Sequence, residues 1–135
     1  MGDTASTDGR IVSTFGYGNR DFSWLHGLVA LTGVTCVVDI RASTKSRWSS
    51  DWREDNLRER LGGMGVEYVT IPEFGHVKED LEPRNVQAGI LRIKEIQNPQ
   101  HILLLCAEKD ERRCSRGTAG VAIARLFGSQ VRTVS

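Results

Sequence analysis

The sequence predicts an α/β protein: a single-domain, Rossmann-like three-layer sandwich around a mostly parallel sheet of about five strands. Three observations support this class. Short apolar runs alternate along the chain with longer segments whose apolar residues recur at helical spacing. The run from Ile102 to Cys106 is apolar without a break, which is typical of a strand buried on both faces. The 135 residues suffice for one domain with a substantial core.

The first part of the chain predicts a strand, a helix and a second strand. Residues 11–15 form the first strand, and Asp21 then caps a helix that Gly33 ends. Residues 34–40 form the second strand, because their centre is strongly apolar.

The middle of the chain predicts two helices and a strand between them. Ser50 or Asp51 caps the second helix, whose apolar residues lie at i, i+4 and i+7. Residues 66–71 form the third strand, which Pro72 breaks. Pro83 suits the first turn of the third helix, because its fixed φ angle matches helical backbone.

The last part of the chain contains the central strand. After Ile102–Cys106 come a charged loop and a helical pattern at residues 115–127, which Gly128 closes. Residues 131–134 form the final strand. Strands that alternate with helices give a mostly parallel sheet covered on both faces.

The composition excludes several classes of protein. The net charge of +1 argues against a general polyanion binder, and three unevenly spaced cysteines do not suggest a disulfide framework. No apolar run approaches the length of a transmembrane helix, and the polar N-terminus is unlike a signal peptide. We therefore expect a cytoplasmic protein, disordered at residues 1–10, with one domain at residues 11–135. We expect no cofactor, no metal site and no membrane partner, and the oligomeric state stays open.

Polar residues follow four of the predicted strands, at the edge where parallel strands end. Ligands of open α/β sheets bind at this edge. Because arginine forks match phosphate and carboxylate oxygens, we expect a small anionic ligand, held mainly by Arg20, Arg41 and Arg116. Arg41 and Arg47 could equally be solvated loop charges. The full set of predicted substrate-binding residues is Gly16, Gly18, Asn19, Arg20, Arg41, Arg47, Lys109 and Arg116.

Two cysteines and two carboxylates are the catalytic candidates. Cys114 lies beside arginines near a predicted helix start, which lowers a thiol pKa, whereas Cys106 is either a core residue or a site residue. Asp39 and Glu108 are the acid/base candidates. We expect both thiols to be reduced in the resting protein. Cys36, within a run of valines, is expected to be a small core residue.

The cysteines and two of the tryptophans also suggest other kinds of site. Cys106 and Arg112 have the Cys-x5-Arg spacing of tyrosine phosphatases, but three carboxylates stand between them and would repel a phosphate. The cysteine spacing fits no tetrahedral zinc pattern. Trp48 and Trp52 either cover the edge of the sheet or stack on a planar ligand.

Three blocks of the sequence carry a resemblance to a known family. They are Thr14–Arg20, Val38–Arg41 with Ser46-Arg47, and Leu105–Asp110 with Cys114 and Arg116. On these blocks the chain resembles domain of unknown function family 488, whose members are small α/β proteins. The resemblance spans nearly the whole chain and implies this fold and site map, with no particular reaction. The family usually has histidine where this chain has Tyr17 and Ser115.

These observations favour an enzyme, a hydrolase or a transferase, that acts on a small anionic substrate of phosphorylated or nucleotide-like character. Two alternatives use the same residues. A non-catalytic module would bind a nucleotide or a nucleic acid through the arginines. A thiol redox protein would use Cys106 and Cys114 as a reversible disulfide, although the chain lacks a Cys-x-x-Cys motif.

Overall fold

The computed structural model describes residues 10–41, 50–75, 83–107, 116–128 and 131–134. Strands and helices alternate along these ranges. Two short 3₁₀ helices also occur, at Ser50–Trp52 and Pro72–Phe74. The strands and α-helices are β1 Ile11–Gly16, α1 Phe22–Thr32, β2 Cys36–Asp39, α2 Glu54–Gly63, β3 Glu67–Thr70, α3 Pro83–Ile93, β4 His101–Cys106, α4 Arg116–Phe127 and β5 Val131–Val134.

The strands form a parallel sheet in the order β3-β2-β4-β1-β5. Strand β4 lies at its centre, and all six of its residues are buried. This position explains why residues 102–106 are continuously apolar, since a central strand covered on both faces has no side chain facing water. The predicted α/β class and the central position of this strand are confirmed.

Helices cover the sheet on both faces. On one face, α1 and α2 pack on strand residues that include Phe15, Val37 and Leu105; we call it the α1/α2 face. On the other, α3 and α4 pack on residues that include Val38 and Ile102; we call it the α3/α4 face. Successive strand residues alternate between the two faces, as the pleat of a strand requires.

Helix α1 begins and ends where the sequence predicts. Asp21 Oδ1 accepts a hydrogen bond from the Ser23 main-chain N–H at 3.0 Å. Gly33 adopts a left-handed φ of 75° and donates its N–H to the Val29 carbonyl oxygen. The side-chain cap satisfies a free N–H at the helix start, and glycine allows the left-handed turn at its end without a Cβ clash.

The predicted cap of α2 is wrong. Helix α2 follows Arg53, which makes no side-chain capping bond, and Ser50 and Asp51 lie in the preceding 3₁₀ helix. Asp51 instead accepts a bond from the Phe22 main-chain N–H at 3.1 Å and one from Arg60 at 3.1 Å. A contact to α1, which is distant in sequence, therefore displaced the local capping interaction.

Gly89 of α3 lies directly against the ring of Phe74. A Cβ atom at this position would lie 2.4 Å from two atoms of that ring. Phe74 is fully buried, so the ring has no open space into which it can move. The close approach of α3 to the chain after β3 therefore requires glycine here.

We expect Gly89→Ala to lower the free energy of unfolding by about 1–3 kcal/mol, because the added methyl group overpacks a filled core. The matched control is Gly27→Ala in α1, where a Cβ would meet nothing within 4 Å. Helix propensity alone should stabilise that control by up to about 1 kcal/mol. Urea unfolding followed by tryptophan fluorescence compares the two. Equal stability of both variants would show that Phe74 moves aside.

Candidate functional site

The strand order places a topological switch point at the carboxyl edge of the sheet, between β2 and β4. The two strands are neighbours, but the chain leaves β2 toward α2 on one face and leaves β4 toward α4 on the other. Loops that leave neighbouring strands toward opposite faces separate, and ligands of open α/β sheets bind between them. The centre of this edge lies at Asp39 and Cys106. The connecting segments, residues 42–49 and 108–115, lie outside the described residues.

The turn after β1 is held against the end of β4 by main-chain hydrogen bonds. The N–H of Tyr17 donates to the carbonyl oxygen of Cys106 at 3.0 Å, and the N–H of Gly18 donates to that of Ala107 at 2.9 Å. Gly18 has a φ of 56°, a left-handed conformation that costs glycine little. The first and third of the three sequence blocks therefore meet in space.

Asp39 and Arg41 form a buried ion pair at the end of β2. Arg41 Nε donates to Asp39 Oδ1 at 2.8 Å, and Arg41 Nη2 donates to Oδ2 at 2.6 Å, which makes the pair bidentate. The main-chain N–H of Arg41 also donates to Oδ1, at 3.2 Å. Asp39 is 0% exposed and Arg41 is 7% exposed. If either partner were removed, the remaining charge would therefore be buried with neither a counter-charge nor water around it.

Two tyrosine hydroxyl groups complete the hydrogen bonding of this pair. The hydroxyl of Tyr68, on β3, donates to Asp39 Oδ2 at 2.6 Å. Arg41 Nη1 donates to the hydroxyl of Tyr17 at 3.1 Å. The pair thus joins β2 to its neighbouring strand and to the turn after β1.

Trp52 covers this network from the side of α2. Its ring stacks on that of Tyr17, with centroids 4.1 Å apart and planes 7° from parallel. Its Nε1 donates to the main-chain carbonyl oxygen of Arg20 at 2.8 Å. Because Trp52 is buried and fully engaged, the structure favours the covering role over stacking on a ligand. Trp48 lies outside the described residues.

Burial and the ion pair shift the pKa values of the network. Burial alone lowers the pKa of Arg41, but the hydrogen bond and charge of Asp39 outweigh it and hold that pKa above its usual range. Burial raises the pKa of Tyr68, and the negative charge of Asp39 raises it further, against a smaller opposing effect of Arg41. Arg41 therefore stays charged and Tyr68 stays protonated across the physiological pH range.

This geometry changes the roles expected of Asp39 and Arg41. Both oxygens of Asp39 accept hydrogen bonds from Arg41, and one of them also accepts from Tyr68. The positive charge of Arg41 is balanced by a carboxylate at contact distance. A structural role for the pair is therefore favoured over general acid/base chemistry at Asp39 and over anion capture at Arg41.

Sequence reasoning assigned no role to Tyr68. The sequence holds one indication of its role, because a tyrosine that faces inward from a strand has a hydroxyl group that needs a hydrogen-bond partner when it is buried. Register pairs Tyr68 with Val37, so its ring lies on the same face as the Asp39 side chain. That strand register cannot be predicted from the sequence alone.

The sulfur of Cys106 lies on the opposite face of the sheet from the Asp39 carboxylate. Leu105, which pairs with Asp39, packs on the α1/α2 face, whereas Cys106 packs on the α3/α4 face. Alternation along β4 imposes this separation. The structure therefore does not bring the Cys106 thiol and Asp39 together as a nucleophile and its base.

The state of the cysteines differs from the expectation of reduced thiols. Cys106 is disulfide-bonded. Cys36 is free and buried, and burial together with the charge of Glu67 raises the pKa of its thiol, as a core role requires. Cys114 lies outside the described residues. The expectation rested on the compartment and on a helix start, and neither of these decides whether the path of a loop brings two sulfurs together.

Arg20 and Arg41 rest on different aromatic rings. The guanidinium carbon of Arg20 lies 4.6 Å from the centroid of the Trp24 ring and 5.5 Å from that of Phe15. That of Arg41 lies 5.6 Å from the centroid of Tyr17. The two cations thus have different aromatic neighbours, and their joint capture of an anion stays a prediction.

The remaining predicted site residues keep their roles as predictions. Gly16 is the last residue of β1, Asn19 is exposed in the following turn, and Arg116 is the first residue of α4. Four further candidates lie outside the described residues: Arg47, Glu108, Lys109 and Cys114.

Membrane-spanning helices and metal sites are both absent from the described ranges. None of their helices has the length and apolarity that crossing a membrane requires. Within the same ranges, no group of three histidine, cysteine, aspartate or glutamate side chains is placed to hold a metal ion.

The fold and this edge define a class: α/β proteins with a parallel sheet whose carboxyl edge carries a buried ion pair and a cysteine. Within that class, residues 25–86 match the family described as domain of unknown function DUF488. The family that the resemblance indicated is thereby confirmed. The matched residues include the second sequence block, at Asp39 and Arg41, and contain no residue of the other two blocks.

Two crystal structures of the "putative phosphatase (DUF442)" from Shewanella putrefaciens CN-32 are similar to this chain. The first has a TM-score of 0.44 and 17% sequence identity, and covers 70% of this chain and 55% of that one. The second has a TM-score of 0.43 and 16% identity, and covers 70% and 54%. The chain thus spans about half the length of the protein in those structures, and no reaction is transferred from it. No curated protein matches the chain.

We expect Asp39→Asn to lower the free energy of unfolding by about 3–5 kcal/mol, because it leaves Arg41 as an uncompensated buried charge. The double variant Asp39→Leu with Arg41→Met should recover much of that loss, since it removes both charges. Asp55→Asn, in an exposed ion pair with Arg53, is the control and should resemble the wild type. Urea unfolding measures all four proteins. A loss from Asp39→Asn as small as that of the control would mean that solvent reaches Arg41.

Proposed function

We propose that this protein is an enzyme that acts on a small anionic substrate, phosphorylated or nucleotide-like, bound at the carboxyl edge between β2 and β4. The observation that carries the proposal is the strand order, which makes these two strands neighbours while their connections leave toward opposite faces. The proposal includes the Rossmann-like three-layer arrangement that the sequence predicts.

The chemistry of this edge supports an anionic substrate. Helix α4 begins at Arg116, shortly after β4 ends at Cys106. The start of a helix presents free N–H groups and the positive end of its dipole, both of which favour an anion. Arg116 would add a guanidinium fork, and a reduced Cys106 or Cys114 would supply the nucleophile. Glu108 takes the acid/base role, because the oxygens of Asp39 are engaged by Arg41 and Tyr68.

Calorimetry with inorganic phosphate and adenosine monophosphate, on protein reduced with dithiothreitol, tests the binding step. We expect Arg116→Gln to weaken binding about tenfold, or ~1.4 kcal/mol, through loss of a charge-assisted contact. The matched control is Arg125→Gln, an exposed arginine in the last turn of the same helix. Absence of binding, or an equal effect of the two variants, would rule out this edge as an anion site.

Turnover separates the enzyme from the non-catalytic module that binds a nucleotide or a nucleic acid. Phosphate release from adenosine monophosphate and p-nitrophenyl phosphate should be lost in Cys106→Ser or in Cys114→Ser, whichever cysteine is the nucleophile, and kept in Cys36→Ala. Binding without turnover in the wild type would favour the binding module.

A second candidate function is thiol redox chemistry, which the disulfide at Cys106 favours. Reduction of this bond by two molecules of a small thiol such as glutathione takes up two electrons and two protons. It yields two protein thiols and one oxidised glutathione. Cys36 is free and buried and takes no part.

Equilibration in glutathione buffers, followed by alkylation and mass spectrometry, tests the redox candidate. A redox function predicts a midpoint between roughly −270 and −120 mV, the range of known thiol oxidoreductases. Cys36 should stay unlabelled in the folded protein throughout and serves as the internal control. A bond that resists reduction, with a potential below about −300 mV, would identify a structural disulfide and remove this candidate.

A further inference from the structure

Helix α1 carries two apolar faces. One packs on the sheet and is buried; it consists of Phe22, Leu25 and Val29. The other consists of Trp24, Leu28 and Leu31, at i, i+4 and i+7. Trp24 is 56% exposed and Leu31 is 88% exposed. A helix on the surface of a domain normally has one apolar stripe, so the second one requires an explanation.

A cleft of about 350 Å³ runs along this second face. It is lined by Phe15, Arg20, Ser23, Trp24, Gly27, Leu28 and Leu31. Gly27 lies between Trp24 and Leu31 in the helix, and a Cβ at this position would meet nothing within 4 Å. The floor of the cleft is therefore flat and open, and its volume falls within the range of small-molecule sites.

Arg20 places a cation at this apolar cleft. Its guanidinium packs on the rings of Trp24 and Phe15. Its Nη1 is buried and has no hydrogen-bond partner in the described part of the chain. Because Arg20 lines the cleft, an anion bound there can pair with its guanidinium.

We propose that this cleft binds an aromatic carboxylate. The planar ring would lie over Gly27 between Trp24 and Leu31, and the carboxylate would pair with the guanidinium of Arg20, which lines the cleft. A monoanion matches the single guanidinium, whereas a phosphate dianion would leave charge uncompensated against an apolar wall. The site is separate from the β2–β4 edge, and it uses none of the residues to which the proposed function assigns chemistry.

Titration of ¹⁵N-labelled protein with 2-naphthoate, followed by NMR, tests the proposal. We expect saturable shifts of the Trp24 indole N–H and the Gly27 amide. Arg20→Gln should weaken 2-naphthoate binding about tenfold and leave binding of the neutral 2-naphthylmethanol unchanged, since only the carboxylate uses the guanidinium.

Gly27→Leu should abolish binding of both compounds by filling the floor of the cleft. Gly62→Leu is the matched control, because Gly62 of α2 also has open space around its Cβ position; it should bind like the wild type. Three results would overturn the proposal: no saturable shift, 2-naphthoate binding that survives Gly27→Leu, or self-association through this face in place of ligand binding.

Discussion

The buried ion pair of Asp39 and Arg41 is the interaction on which the carboxyl edge of this sheet depends. A carboxylate with no solvent exposure is tolerated only if its charge is paired and its oxygens are hydrogen-bonded. Arg41 and Tyr68 meet both requirements, and Tyr17 takes a further donor of the guanidinium. Because these partners come from different elements, satisfying one charge fixes β2, β3 and the turn after β1 relative to one another.

The same requirement limits what this edge can do chemically. A guanidinium held by a carboxylate at contact distance has little remaining attraction for a second anion. Any anion chemistry at the edge must therefore draw on the start of α4 and on the loop residues around it. The pleat adds a second limit, since it places Cys106 and Asp39 on opposite faces of the sheet. The ion pair therefore lies on the α1/α2 face of this edge, and Cys106 lies on the α3/α4 face.

Helix α1 contributes to both the core and the surface. Its buried face anchors it to the sheet, and Asp21 and Gly33 fix its length. Its second apolar face and the cation of Arg20 line a cleft that includes neither member of the ion pair. Two adjacent segments of one turn therefore serve different surfaces: Tyr17 joins the ion-pair network, and Arg20 turns toward α1.

The sequence by itself determined the features that depend on local chemistry. The unbroken apolar run of β4, the cap at Asp21, the left-handed Gly33 and the helix starts at Pro83 and Arg116 each follow from the physical preferences of one short segment. The α/β class follows from their alternation. The position of the edge was also predictable, because parallel strands must end on the same side.

Tertiary structure decided which side chains meet at that edge. The sequence grouped Arg20 with Arg41 and Asp39 with Cys106, because all of them follow predicted strands. In the folded protein, Asp39 instead bonds to Arg41 and Tyr68. Cys106 packs on the opposite face of the sheet, and Arg20 packs on the ring of Trp24. The capping role of Asp51 was lost for the same reason, since a contact with α1 replaced it. Strand register and long-range pairing depend on the sum of packing across the whole sheet, and no short stretch of sequence contains that sum.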